Sequence, residues 1–284
     1  MKIKRPKFLN RSKVFIIAEI GINHGGKLKN CVKLIKSAAM AGADAAKLQI
    51  TDPDTSYEKG TRSYNEFKNK TFSLKKLQYL KKISKKYRIL FFATPGDFNS
   101  LKTVKKLNLK IIKISSGLLT NLPLIKEAAK LKKPMILSTG MAYKNEIKQA
   151  LGIAKKFIKK NNLALLKCTS IYPASYKNLN LKSIKTFKRD FGVPIGYSDH
   201  LNGTDAVMAA ICKGAKVIEK HFTLNNKKKG ADHKISLIPS EFKLMIEKSK
   251  VLVKMLGNEN YFLSESIISN RKKMLRYLIT KKEI

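Results

Sequence analysis

Short, nearly unbroken apolar runs alternate with longer amphipathic stretches along most of the chain. The runs cover residues 14–20, 45–50, 88–94, 111–115, 134–138, 164–170, 194–198 and 217–222. Segments such as FIIAEI, ILFFAT and PMILST lack polar alternation, which predicts strands covered by helices on both faces. Their starts lie 23 to 43 residues apart, the spacing that βα units require.

The stretches between them carry helical signals. Over 28–41, apolar residues recur at Leu28, Val32, Leu34, Ile35, Ala38 and Ala39, and Gly42 follows as a stop. Over 73–86, Ser73 offers an N-cap, and Leu74, Leu77, Leu80 and Ile83 form one stripe. Further helices are predicted at 121–130, 144–160, 204–213 and 240–256, with weaker ones near 100–107 and 181–187. Residues 52–71 read as one long polar loop after the second strand, long enough to be functional.

Eight strands alternating with about eight helices over some 250 residues predict an α/β fold, a (β/α)8 TIM barrel. A doubly wound open sheet fits less well, because no GxGxxG follows the first strand. The barrel domain is expected over 1–260, with a basic C-terminal tail over 261–284.

Composition changes this picture little. The chain has 284 residues and a formal net charge of +41, yet only seven of its 60 basic residues are Arg. Lysines recur along the whole length, which favours a solvated basic surface over a specific nucleic-acid interface, where the Arg fork predominates. No apolar run approaches the length needed to cross a bilayer, and the basic start lacks the cleavage pattern of a secretory signal. Cys31, Cys168 and Cys212 are scattered, as expected of core residues in a reducing cytoplasmic setting.

A barrel gathers its chemistry at the carboxyl ends of the strands, and polar residues collect there. Glu19 closes the first run, with Asn23 and His24 beyond it. Lys47 and Gln49 share a face of the second run, being two residues apart. Thr94, then Lys113 with Ser115 and Ser116, Ser138, Lys167 with Thr169 and Ser170, and Ser198 with His200 close the following runs. Glu219 and His221 share a face of the last. Lys47 and Lys113 either compensate a phosphate or carboxylate inside the barrel, or point outward between helices. His200 and His221, closing neighbouring strands, could converge on one divalent metal that polarises a carbonyl; either alone would serve as a structural residue.

AEIGINHGG (18–26), AAKLQ (45–49), KISSG (113–117), ILSTGM (136–141), CTSIYP (168–173), GYSDH (196–200) and IEKHFT (218–223) follow one another in an order and spacing that resemble the sialic acid synthase family. This group includes the N-acetylneuraminate, legionaminic and pseudaminic acid synthases. The resemblance implies condensation of phosphoenolpyruvate with an N-acetylated hexosamine to a nine-carbon 2-keto sugar acid, with release of phosphate. It implies a divalent metal, usually Mn²⁺ with Mg²⁺ or Co²⁺ as alternatives, held by His200 and His221. It assigns Lys47, Thr94, Lys113, Ser116, Ser138, Tyr172 and Ser198 to phosphoenolpyruvate. Gln49 and Asp232 fall to the sugar, and Glu19 and Glu219 to the reacting centre beside the metal. A cytoplasmic homodimer is also implied. Two departures stand out. Thr94-Pro95-Gly96-Asp97 replaces the usual Thr-Pro-Phe-Asp, and 271–284 resemble only the first residues of the small antifreeze-like domain that the family normally carries.

Overall fold

The computed structural model describes residues 13–230, 232–257, 260 and 263–276. The basic start expected over 1–12 and the last part of the expected tail, 277–284, lie outside the described residues.

Eight parallel strands close into a barrel in chain order. They are β1 (Phe15–Gly21), β2 (Ala45–Ile50), β3 (Leu90–Pro95), β4 (Ile112–Ile114), β5 (Met135–Ser138), β6 (Leu163–Cys168), β7 (Ile195–Asp199) and β8 (Val217–His221). Around them run α1 (Leu28–Met40), α2 (Pro53–Ser56), α3 (Arg62–Phe67), α4 (Leu74–Lys86), α5 (Phe98–Leu107), α6 (Leu122–Lys130), α7 (Lys144–Lys155), α8 (Ser183–Phe191), α9 (Asp205–Cys212) and α10 (Pro239–Leu256), followed by α11 (Glu265–Met274). The (β/α)8 barrel predicted from the chain is the fold observed.

Differences from the expected elements are local. Residues 52–71 hold two short helices, α2 and α3, each opened by a capping side chain, Asp52 onto the Asp54 amide and Thr61 onto the Tyr64 amide. The helix expected over 144–160 stops at Lys155, where the last turn tightens and the Lys156 and Phe157 amides bond carbonyls three residues back, on Ile153 and Ala154. Within the stretch read as tail, Ser264 caps α11.

The interior is layered by the two-residue period of the strands. Phe15, Ile17, Ala45, Phe92, Ile111, Ile136, Ala164, Leu166 and Val217 form an apolar plug inside the barrel. The alternate residues, among them Ile16, Ala46, Phe91, Ile112, Leu165, Tyr197 and Ile218, pack outward against the helices in a second core. One step further along each strand than the plug, the inward positions turn polar, so the plug is the floor of a cavity at the carboxyl ends.

Candidate active site

The inward positions above the plug are Glu19 on β1, Lys47 and Gln49 on β2, Thr94 on β3, Lys113 on β4, Ser138 on β5, Cys168 on β6, Ser198 on β7, and Glu219 and His221 on β8. Most of them, with Ser116, Tyr172 and His200 from the loops after the strands, line one cavity of about 210 Å³. Thr94 stands behind it, accepting from Lys47 Nζ at 3.2 Å. The sequence-predicted residues therefore converge in one place.

Two ammonium groups lie inside the barrel with 2% exposure each. Lys47 Nζ is 2.8 Å from Glu19 Oε2 and 3.6 Å from Glu219 Oε2. Burial opposes its charge, but the two carboxylates outweigh burial and hold its pKa above the ordinary lysine value. Lys113 differs. It donates to Ser138 Oγ at 2.6 Å, and its nearest carboxylate oxygen, on Glu219, is 3.7 Å away. Burial dominates there and lowers its pKa. Lys113 is a buried cation short of an anion.

The carboxylates are split in the same way. Burial, reinforced by Glu219, pushes Glu19 up toward neutrality even though Lys47 pulls against it. For Glu219 the burial penalty is overcome by Lys113 and Lys47, which hold it below the usual carboxylate range; Ser198 Oγ also donates to it at 3.1 Å. One acid is thus inclined to carry a proton beside one that stays ionised, an arrangement suited to proton transfer.

His200 and His221 lie with ring centroids 5.4 Å apart. Burial lowers both pKa values, to about 4 and about 3, so both imidazoles are neutral at physiological pH. His200 Nδ1 pairs with the Thr169 carbonyl at 2.7 Å, which leaves its Nε2 for other partners. His221 Nδ1 is buried without a hydrogen bond, 3.6 Å from Asp232 Oδ2. Two neutral nitrogens with an orphaned buried atom fit a divalent ion whose remaining positions are open to substrate oxygens. No group of three or more ligating side chains gathers among the described residues.

Asp232, in the loop after β8, meets Glu19 and Gln49 at Gly21. A Cβ on Gly21 would lie 3.2 Å from Glu19 Oε1, 3.4 Å from Asp232 Oδ2 and 3.5 Å from Gln49 Nε2. Gln49 donates to Glu19 Oε1 at 3.0 Å. The absent side chain of Gly21 keeps this corner open. Tyr172 stacks over His200 with centroids 4.1 Å apart, and it also borders an outer chamber of about 340 Å³ formed with Arg62 and Lys234.

Four strand-end residues, Asn23, His24, Lys167 and Thr169, lie elsewhere, the Thr169 hydroxyl donating to the Asn178 carbonyl. Asn23 pins the Phe222 carbonyl and Ser236, and His24 packs on Phe72 while accepting the Gly26 amide. Lys167 points outward to Thr169 Oγ1. Conversely, Cys168, expected only as core, lines the cavity 3.2 Å from Ser116 Oγ, and Ser170 places a buried hydroxyl beside them without a partner. Ser170 was among the expected strand-end residues, and the strand period was the signal that could have added Cys168, since Ala164, Leu166, Cys168 and Ser170 share one parity.

Fold and site together define a (β/α)8 barrel whose mouth gathers two buried lysines, paired carboxylates and two neutral imidazoles in one cavity. The chain belongs to the NeuB family, whose model matches residues 34–261. It is 39% identical to the N,N'-diacetyllegionaminic acid synthase of Campylobacter jejuni, over 96% of this chain and 86% of that protein. It is 32% identical to human N-acetylneuraminate-9-phosphate synthase, over 95% and 79% respectively. Among solved structures, an N-acetylneuraminic acid synthetase from Leptospira borgpetersenii, in complex with citrate, superposes with a TM-score of 0.87 at 37% identity, covering 93% of both chains. The relatives are sialic-acid-type synthases, and this chain is an enzyme of that general class.

Proposed function

We propose that this protein condenses phosphoenolpyruvate with an N-acetylated hexosamine-type aldehyde, giving a nine-carbon 2-keto sugar acid and inorganic phosphate. The observation that carries this reading is the under-compensated ammonium of Lys113, buried beside Lys47 among serine and threonine hydroxyls. A ligand bearing both a phosphate and a carboxylate would satisfy both cations.

In this reading Lys47, Lys113, Ser116, Ser138 and Ser198 hold the two anionic groups of phosphoenolpyruvate, Thr94 orients Lys47, and Tyr172 closes the site over His200. Gln49 and Asp232 face the sugar. Carbon 3 of the enolpyruvate forms a bond to the aldehyde carbon, and the aldehyde oxygen takes a proton, for which Glu19 is the available donor. Water then adds to carbon 2, giving up one proton to the carboxylate of Glu19. The bond from carbon 2 to the bridging oxygen breaks, and the phosphate leaves with that oxygen and with the proton of the new hydroxyl as the ketone forms. Glu219 stays ionised and offsets the positive charge that develops at carbon 2. His200 and His221 would hold the divalent metal, probed as Mn²⁺, which when bound supplies Lewis acidity toward the aldehyde oxygen.

The test is incubation with phosphoenolpyruvate, Mn²⁺ and a panel of N-acetylated hexosamines, with product masses read directly. A mass equal to sugar plus phosphoenolpyruvate plus water minus phosphoric acid supports the reading, and its absence with every acceptor refutes it. Competition between phosphorylated and unphosphorylated acceptors separates it from an aldolase specific for phosphorylated sugars. Homodimerisation belongs to the same proposal. An exposed apolar stripe of Leu244, Val251 and Met255 along α10 supports it, and sedimentation tests it.

A further inference from the structure

Behind the two histidines, on the outward face of β7 and β8, lies a pair of charges that the reaction does not touch. Lys220 and Asp199 are register partners in the sheet, and both are fully buried. Lys220 Nζ lies 2.7 Å from Asp199 Oδ2 and also donates to the Leu201 carbonyl. Asp199 Oδ1 accepts the Leu201 amide and the Tyr197 hydroxyl, each at 3.1 Å. The pair therefore grips both the amide and the carbonyl of the residue that follows His200. Strand alternation places it between the inward residues of both strands, Ser198 and His200 on one, Glu219 and His221 on the other.

Stability alone does not account for such a pair. Neighbours on this face, such as Tyr197 and Ile218, belong to the apolar outer core. A buried ion pair in such surroundings is often matched or bettered in stability by packed apolar side chains. Geometry is what it adds. Directional bonds from two strands fix the peptide after His200, while Thr169 holds the ring and the Ala174 amide binds the His200 carbonyl at 3.0 Å.

We infer that the Lys220–Asp199 pair, with Tyr197, is a positioning network that sets the backbone of His200 against β8 and so fixes the spacing between the two imidazoles. This rests on the proposed role of His200 and His221 as metal ligands. Lys220→Met alone strands a buried carboxylate and endangers folding, so the decisive variant is the double replacement Asp199→Leu with Lys220→Met. It leaves the Leu201 amide and carbonyl and the Tyr197 hydroxyl without these partners, so it is expected to stay folded but to melt several degrees below the parent. Its Mn²⁺ affinity by calorimetry should fall by roughly tenfold or more, with kcat, as for other groups that orient ligands. The KM for phosphoenolpyruvate should stay within about twofold, because neither residue touches the cavity. A double variant that regains metal affinity and kcat together with its melting temperature would overturn the inference. A crystal structure of the double variant gives a readout independent of metal: rings still 5.4 Å apart overturn the positioning role, and displaced rings support it. If the parent neither binds Mn²⁺ nor forms product, the metal reading fails, and the ring geometry still decides whether the network positions His200.

Discussion

At Lys113 the contest between burial and charge decides what the cavity asks of a ligand. Its ammonium has one hydroxyl at 2.6 Å and no carboxylate closer than 3.7 Å. Lys113→Met should therefore weaken phosphoenolpyruvate binding by roughly 10- to 100-fold, the range for a lost charge-assisted hydrogen bond, as measured by calorimetry without acceptor. Glu19 gives a pH signature. The folded protein holds its proton above the ordinary carboxylate value of 4.5 while the unfolded chain releases it. Between 4.5 and neutrality the native state binds more protons, so this group's contribution to stability declines as pH rises. Glu19→Gln should flatten that part of the profile of melting temperature against pH, and an unchanged slope would show that Glu19 ionises normally. His200→Ala and His221→Ala should each abolish stimulation by Mn²⁺, read as phosphate release with and without the ion.

At the scale of elements, the segment carrying α2 and α3 is docked over the barrel mouth by specific contacts. Gly26 has φ +73°, and a Cβ there would collide with the Asn69 carbonyl. Asp97 caps α5 through Ser100 and also accepts the Asp52 amide at 2.8 Å, anchoring the base of the same segment. Gly26→Ala should loosen it, seen as faster proteolysis within 52–71 and a several-fold higher KM for the sugar. The space beside Gly96 is filled by Thr51, whose Cβ and Cγ2 would lie 2.8 and 2.7 Å from an added Cβ. Gly96→Phe should cost about 1–3 kcal/mol by overpacking, checked by denaturant midpoint. The strands and their inward residues were legible in the chain because apolar runs and a period of two define both. The short helices α2 and α3 were not, since each rests on a cap and on tertiary docking rather than on an apolar stripe. Cys168 was passed over for Lys167 because charge drew notice where strand parity should have decided.

Over the whole molecule, the excess of lysine is a surface property. Most lysines among the described residues are exposed, and the two inside the barrel, Lys47 and Lys113, face Glu19 and Glu219. With a net charge of +41, self-repulsion opposes the compact state, so the melting temperature should rise by a few degrees as NaCl increases from about 0.05 to 0.5 M. No helix among the described residues is long and apolar enough to cross a membrane. The central claim is that one cavity activates phosphoenolpyruvate only toward an amino-sugar aldehyde. It is tested most directly by following inorganic phosphate released from phosphoenolpyruvate with Mn²⁺, in the presence and absence of N-acetylated hexosamines. Release should require the acceptor and, at phosphoenolpyruvate levels that just saturate the parent, should fall sharply in Lys113→Met. Release without any acceptor, or none with every acceptor tried, would contradict it.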